Sequence, residues 1–249
     1  MRRITALKIK AVTVDFWDTI APYPFTEEIF QERVEHSSRI FGKYDITFDT
    51  SEKLMRSIYD HFEDIWHNHR RTPTTPEMFR HIEKLTGVEF DENDFSELVS
   101  YNESLITKKY FDLRPEIADS IRKLSEKYKM IIISDTGFEP GRELRKALEK
   151  NDLLDRFCYG VFSDETGFSK PDERAFKLAS EKAGCRTEQM VHIGDREDKD
   201  IIGARSSGMH SILFTGFRND DSELTTADFT ANSWREVTDL ISRAADDAL

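Results

Sequence analysis

Short apolar runs recur at both ends of the chain, each bounded by polar or turn-forming residues. Positions 12–16 (VTVDF), 130–134 (MIIIS), Val161 and Phe162 beside Tyr159, 190–193 (MVHI) and 211–215 (SILFT) read as strands. The strongest of them are nearly continuous in β-branched residues, as expected of parallel strands covered on both faces. Between the runs, apolar residues fall three and four apart. Ile117, Ile121 and Leu124 do so within 115–128, Leu144, Ala147 and Leu148 within 141–154, and Ala175, Phe176 and Ala179 within 172–183. Gly184 stands where a helix C-terminal glycine belongs. Further helical patterns cover 200–208 and 234–245. Strand alternating with helix predicts an α/β fold, a doubly wound parallel sheet with right-handed crossovers.

Residues 24–111 break that rhythm. They carry no strand pattern, and 25–41, 51–69, 76–86 and 92–110 all read as helices with aromatic and aliphatic residues on one face. A proline-marked connector, Arg71-Thr-Pro-Thr-Thr-Pro76, separates two of them. The expected organisation is a core formed by 1–22 and 112–249, with an all-helical insertion at 23–111 between the first and second strands. Hinges are expected at 21–25 and 110–114. The sequence shows no internal repeat and no low-complexity segment.

Composition narrows the class. Of 249 residues 38% are hydrophobic, including 18 Phe, enough for a packed core. Lys and Arg number 36 against 48 Asp and Glu, a formal charge of −12, and no strong basic block occurs. Nucleic acid and anionic membrane are therefore not the expected partners. Cys158 and Cys185 form neither a disulfide framework nor a metal-like spacing, which fits a reducing cytoplasm. The start, Met1-Arg-Arg-Ile, leads into alternating Lys and apolar residues without a signal-peptide run, and no stretch approaches the roughly 20 apolar residues of a membrane span.

Ligands of an open parallel sheet bind beyond the carboxyl ends of its strands. The first strand ends in Asp15-Phe-Trp-Asp-Thr19 and the second in Ser134-Asp-Thr-Gly137; beyond the third comes Gly167-Phe-Ser-Lys170-Pro171, and the fourth ends in Gly194-Asp195-Arg-Glu-Asp-Lys-Asp200. A carboxylate, a hydroxyl, a lysine and an acidic cluster are thus expected to converge. These stretches, in this order and spacing, resemble the four motifs of the haloacid dehalogenase (HAD) superfamily, over residues 10–20 and 112–215. The helical insertion resembles that family's cap, and IISDTGFEPG and GFSKPDERAF resemble its helical-cap subfamily most.

The resemblance implies a Rossmann-like core and a set of roles. Asp15 would be the nucleophile, forming an aspartyl intermediate. Ser134, with backbone N–H groups of Asp135 and Thr136, would bind phosphoryl oxygens, and Lys170 would neutralise charge on nucleophile and substrate. Asp15, the Trp17 carbonyl, Asp195 and Asp200 would hold Mg²⁺, which prefers hard oxygen ligands. Asp200 would hold a metal-bound water or orient Lys170; it fits the family's usual interval better than Asp198. Thr19 would brace the loop by hydrogen bonding.

One departure matters. The family's phosphatases usually carry a general-acid aspartate two residues after the nucleophile, where this chain has Trp17; Asp18 follows one position later. Side chains of adjacent residues on extended backbone point to opposite sides, so Asp18 replaces that acid only if the loop leaves strand geometry. Three readings follow. The favoured one is a Mg²⁺-dependent phosphohydrolase of a small phosphorylated metabolite, recruiting Asp18 or a cap residue as acid or serving good leaving groups. The second is a metal-independent 2-haloacid dehalogenase, whose halide needs no proton. The third is a low-activity protein binding a phosphorylated ligand or a partner. Gly194-Asp195 with Asp200 favours the first, because a nucleophilic carboxylate beside two further acids calls for a dication. In the insertion, His67-Asn-His-Arg70-Arg71 reads mainly as a solvated helix end, and Tyr59, Phe62, Ile65 and Trp66 as core.

Overall fold

The computed structural model describes residues 8–23 and 26–246, with the side chains of 244–246 excepted; the chain start and residues 24 and 25 of the expected first hinge lie outside them. Six strands form one parallel sheet in the order β3-β2-β1-β4-β5-β6. They are β1 (Ala11–Val14), β2 (Lys129–Ser134), β3 (Phe157–Phe162), β4 (Met190–Gly194), β5 (His210–Phe214) and β6 (Phe229–Ala231). Every residue of β1 is buried, as is β2 apart from Lys129, which explains their continuous aliphatic character. The strand order reverses between β1 and β4, the place where open sheets build their crevice.

The chain divides into two compact units. The first comprises Met1–Tyr23, Asp112–Asp135 and Leu148–Leu249; the second comprises Pro24–Phe111 and Thr136–Ala147. Residues 136–147, placed with the core on sequence grounds, thus group with the helical insertion.

In the second unit, α1 (Glu27–Phe41), α2 (Phe48–His69), α3 (Thr75–Thr86) and α4 (Glu92–Leu105) start on Thr26, Thr47, Thr74 and Asp91, whose side chains each accept an orphan backbone N–H. A turn of π-helix, Ile106–Tyr110, prolongs α4. Val34, Phe41, Met55, Ile58, Phe79, Ile82 and Leu98 form its core, joined by Phe138. Tyr59 and Phe62 pack against that core, while Ile65 and Trp66 are buried. The polar end of α2 is a solvated helix terminus: Arg70 lies over the Trp66 ring at 5.3 Å and Arg71 pairs with Glu77 at 3.0 Å.

In the first unit, α5 (Pro115–Ser125) precedes β2; the residues of the next helix, α6 (Gly141–Lys150), divide between the two units. There follow the single turn α7 (Ser163–Thr166), α8 (Glu173–Ala183), α9 (Ile202–Ser206) and α10 (Trp234–Asp246). Ala175, Ala179 and Ala183 recur every fourth residue on α8 and let it lie close against the sheet, with Ile131, Ile133 and Val161 beneath. The short edge strand β6 has no counterpart in the sequence pattern; three residues, two of them partly exposed, give no periodic signal. No helix among the described residues is long and apolar enough to cross a membrane.

Candidate active site

Asp15 follows the last residue of β1, and its N–H donates to the Ile193 carbonyl of β4 at 2.8 Å. The sheet ladder therefore carries Asp15 to the rim beside the Gly194-Asp195 turn. Gly194 is required there: a Cβ at this position would collide with the Asp200 carboxyl group. Asp200 folds back from the π-turn Glu197–Ile201 into the space this glycine leaves. Asp15, Asp195 and Asp200 each offer a carboxylate oxygen, all lying within 4.8 Å of one another, and all three residues are buried.

Lys170 enters this cluster from the loop after β3. Its Nζ donates to Asp15 Oδ1 at 2.5 Å and to Asp200 Oδ1 at 2.6 Å, with its side chain only 3% exposed. The loop is held at its backbone too, since the Lys170 N–H donates to Asp135 Oδ1 at 2.9 Å. Beside the ligand role expected of its N–H, Asp135 thus fixes the lysine loop with its side chain, and Lys199 Nζ lies 3.8 Å away.

Electrostatics divides the carboxylates. Burial and the neighbouring Asp200 charge push Asp15 up to about 7 despite Lys170. Burial, with Asp200 and Asp15 close by, takes Asp195 to about 8. Burial would raise Asp200 as well, but Lys170 and His192 outweigh it and hold that carboxyl below the usual carboxylate range. Burial acts to lower Lys170, yet its carboxylate neighbours keep it raised and cationic. One anion and one cation are thus fixed, while two further carboxyls hold their protons toward neutral pH and would give them up more readily beside a compensating cation. Clustered hard oxygen donors with unmet negative charge are the donor set that suits Mg²⁺.

The remaining expected residues are less uniform. Asp18 sits in the left-handed region at φ 53°, so its loop does leave strand geometry. Its Oδ1 accepts the Tyr23 N–H at 3.0 Å, and burial raises its pKa against that bond. Trp17 packs edge-on against Phe16 and Tyr23, with ring centroids 5.0 and 5.1 Å away. Ser134, 2% exposed, closes β2 and donates a long 3.4 Å bond to the Asp135 carbonyl. Thr136 is buried and groups with the helical unit. Asp198 lies at the surface, paired with Arg196 at 3.2 Å, and stays outside the cluster. The expected Thr19 hydroxyl brace is corrected: its Oγ1 finds no hydrogen-bond partner among the described residues, and its carbonyl does the bracing by accepting the Trp234 indole N–H at 2.8 Å.

A family model for haloacid dehalogenase-like hydrolases matches residues 9–208. The chain belongs to this family. A glyceraldehyde 3-phosphate phosphatase of Methanopyrus kandleri is 25% identical over 252 residues, spanning 96% of this chain and 100% of that protein. The crystal structure of a HAD phosphatase from Thermococcus onnurineus matches with a TM-score of 0.67 at 22% identity, covering 94% of this chain and 98% of that one. A 2-haloacid dehalogenase from Pseudomonas syringae pv. Tomato DC3000 matches with a TM-score of 0.66 at 17% identity, covering 94% and 99%. Phosphatase and dehalogenase thus share this fold equally, and the HAD fold by itself does not choose between them.

Within the HAD frame two residues escaped the sequence reading. Arg218, on the loop after β5, donates to the Asp195 carbonyl at 2.8 Å and lies 3.4 Å from Asp195 Oδ2. Asp220 and Asp221 hold its guanidinium in place. His192 was read only as part of an apolar strand, yet its ring touches Asp200. No motif marks Arg218, and a strand-interior histidine gives no periodic signal of its own.

Proposed function

We propose that the protein is a Mg²⁺-dependent phosphohydrolase of small phosphorylated metabolites, working through an aspartyl-phosphate on Asp15. The observation that carries this reading is the convergence of Asp15, Asp195 and Asp200 around a buried lysine. A dehalogenase needs no Asp195-type ligand, because carboxylate attack on carbon expels a halide that is already a stable anion. The similarity to a glyceraldehyde 3-phosphate phosphatase along nearly the whole of both chains supports phosphorus over carbon. Two free thiols, Cys158 and Cys185, support a cytoplasmic setting. The helical unit is proposed as a cap that excludes water and selects the substrate.

Mg²⁺, held by Asp15, the Trp17 carbonyl, Asp195 and Asp200, would neutralise charge on the phosphoryl oxygens and remove the repulsion among these carboxylates. Asp15 attacks phosphorus as its ionised carboxylate, and the bond from phosphorus to the leaving alkoxide oxygen breaks. Lys170, fixed between Asp15 and Asp200, faces the negative charge that spreads over the transferring group. Ser134 and the Asp135 and Thr136 N–H groups orient that group. Asp18 carries the proton for the departing alkoxide, since burial favours its protonated form. Water then attacks phosphorus of the aspartyl-phosphate, Asp18 takes up its proton, and inorganic phosphate leaves with the Asp15 carboxylate restored.

Trp17, in place of the usual acid, is the one observation favouring a metal-independent 2-haloacid dehalogenase. Para-nitrophenyl phosphate and 2-chloropropionate separate the two. The phosphohydrolase reading expects nitrophenol release that EDTA abolishes and added Mg²⁺ restores, with Asp15→Asn at background. Chloride release that survives EDTA, without phosphate release, contradicts it.

A further inference from the structure

Four hydrogen bonds run from the middle of the sheet to the proposed nucleophile, and their first two members have no role in the chemistry above. Thr13 and His192 are register partners across β1 and β4, and both are fully buried. Thr13 Oγ1 lies 2.9 Å from His192 Nδ1, and His192 Nε2 lies 2.9 Å from Asp200 Oδ1. The chain continues from Asp200 Oδ1 to Lys170 Nζ at 2.6 Å and from there to Asp15 Oδ1 at 2.5 Å. Phe176 closes the remaining side of the imidazole with an edge contact, ring centroids 5.2 Å apart.

We infer that His192 is a positioning residue that clamps Asp200, and through it Lys170, with Thr13 bracing the ring from its far side. The inference rests on the phosphohydrolase reading and extends it to residues that never touch substrate. An ionised carboxylate only accepts, so the Asp200 contact places the ring proton on Nε2. Nδ1 is then a lone pair, and the Thr13 hydroxyl donates to it. The other Thr13 contacts, 3.4 Å to the Val191 carbonyl and 4.0 Å to Met209 Sδ, are too long to compete for that proton. Asp200 Oδ1 consequently accepts from two directions, while Oδ2 accepts the Arg196 N–H at 3.1 Å. Both of its oxygens are pinned, so the carboxylate cannot rotate. Lys170 is thereby shared between two carboxyl groups rather than collapsing onto Asp15 and masking the attacking oxygen. A ring proton aimed by a partner on its far side is how outer ligands commonly fix a site's geometry.

The test uses the intact protein with three substitutions. Thr13→Val keeps the volume and removes the hydroxyl; His192→Leu removes the donor; His192→Gln restores a donor near Nε2. Imidazole ¹⁵N spectra of the wild type are expected to show His192 as the Nε2–H tautomer with Nδ1 accepting a hydrogen bond, and Thr13→Val to keep that tautomer while losing the hydrogen-bond shift at Nδ1. With saturating Mg²⁺ and para-nitrophenyl phosphate, His192→Leu is expected to lower kcat by about 10–100-fold with KM nearly unchanged, and His192→Gln to recover much of it. An Nδ1–H tautomer in the wild type overturns the inference. So does a folded His192→Leu protein with undiminished kcat, or a Gln variant impaired as severely as Leu, which would make His192 mere packing. A wild type without phosphatase activity would instead sink the phosphohydrolase reading, and the tautomer measurement would still judge the clamp.

Discussion

The turn at Asp18 decides what that carboxyl can do. A left-handed φ of 53° turns its side chain away from the alternation of a strand, and its Oδ1 takes the Tyr23 N–H. Asn keeps both the conformational tolerance and the acceptor oxygen, so Asp18→Asn removes the transferable proton without loosening the loop. We expect this variant to lose about 10²–10⁴-fold in kcat on alkyl phosphates and much less on para-nitrophenyl phosphate, whose phenolate leaves without help. Equal losses on both substrates would assign Asp18 a structural role only. The residues at the strand ends were legible in the sequence because each apolar run stops on an acid or hydroxyl, as Asp15, Ser134 and Asp195 do. The side-chain role of Asp135 was not: an aspartate that grips a loop 35 residues onward looks like any other loop acid.

At the scale of elements, the reversal of strand order between β1 and β4 sets Asp15 against Asp195; alternating strand and helix patterns foretold the doubly wound parallel sheet but not its strand order. Patterning could not foretell pairing across the sequence. Arg33 on α1 is buried and donates to Glu139 at 2.5 Å, a partner 106 residues away, and also to the Asn102 carbonyl. Burial pushes the Glu139 carboxyl up while Arg33 opposes it. Phe138 and Glu139 therefore belong to the interior of the helical unit, and the fixed pair explains why residues 136–147 group there. Arg33→Met would leave Glu139 buried without its counter-charge, at a cost of about 3–5 kcal/mol in denaturant unfolding. Adding Glu139→Leu should recover most of that loss. A single variant as stable as wild type would show that the pair does not hold the unit together.

For the whole molecule, the charge state of the carboxylate cluster ties stability to metal. Asp15 at about 7 and Asp195 at about 8, against an ordinary value of 3.8, mean that the metal-free folded protein keeps protons which the unfolded chain releases. Their contribution to stability therefore falls as pH rises from about 4 to about 8. Mg²⁺ must displace those protons, so the rise in Tm that it produces should be larger near pH 8 than near pH 6. A metal effect that is equal at both values, or larger in acid, would place the ion elsewhere. The central claim is that Asp15 takes a phosphoryl group when Mg²⁺ is present. Rapid acid quench of protein mixed with Mg²⁺ and excess para-nitrophenyl phosphate, followed by peptide mass analysis, tests it most directly. The account predicts a mass gain of one phosphoryl group on the peptide that contains Asp15, absent with EDTA and in Asp15→Asn. A phosphoryl adduct on another residue, or Mg²⁺-dependent turnover undiminished in Asp15→Asn, would contradict it.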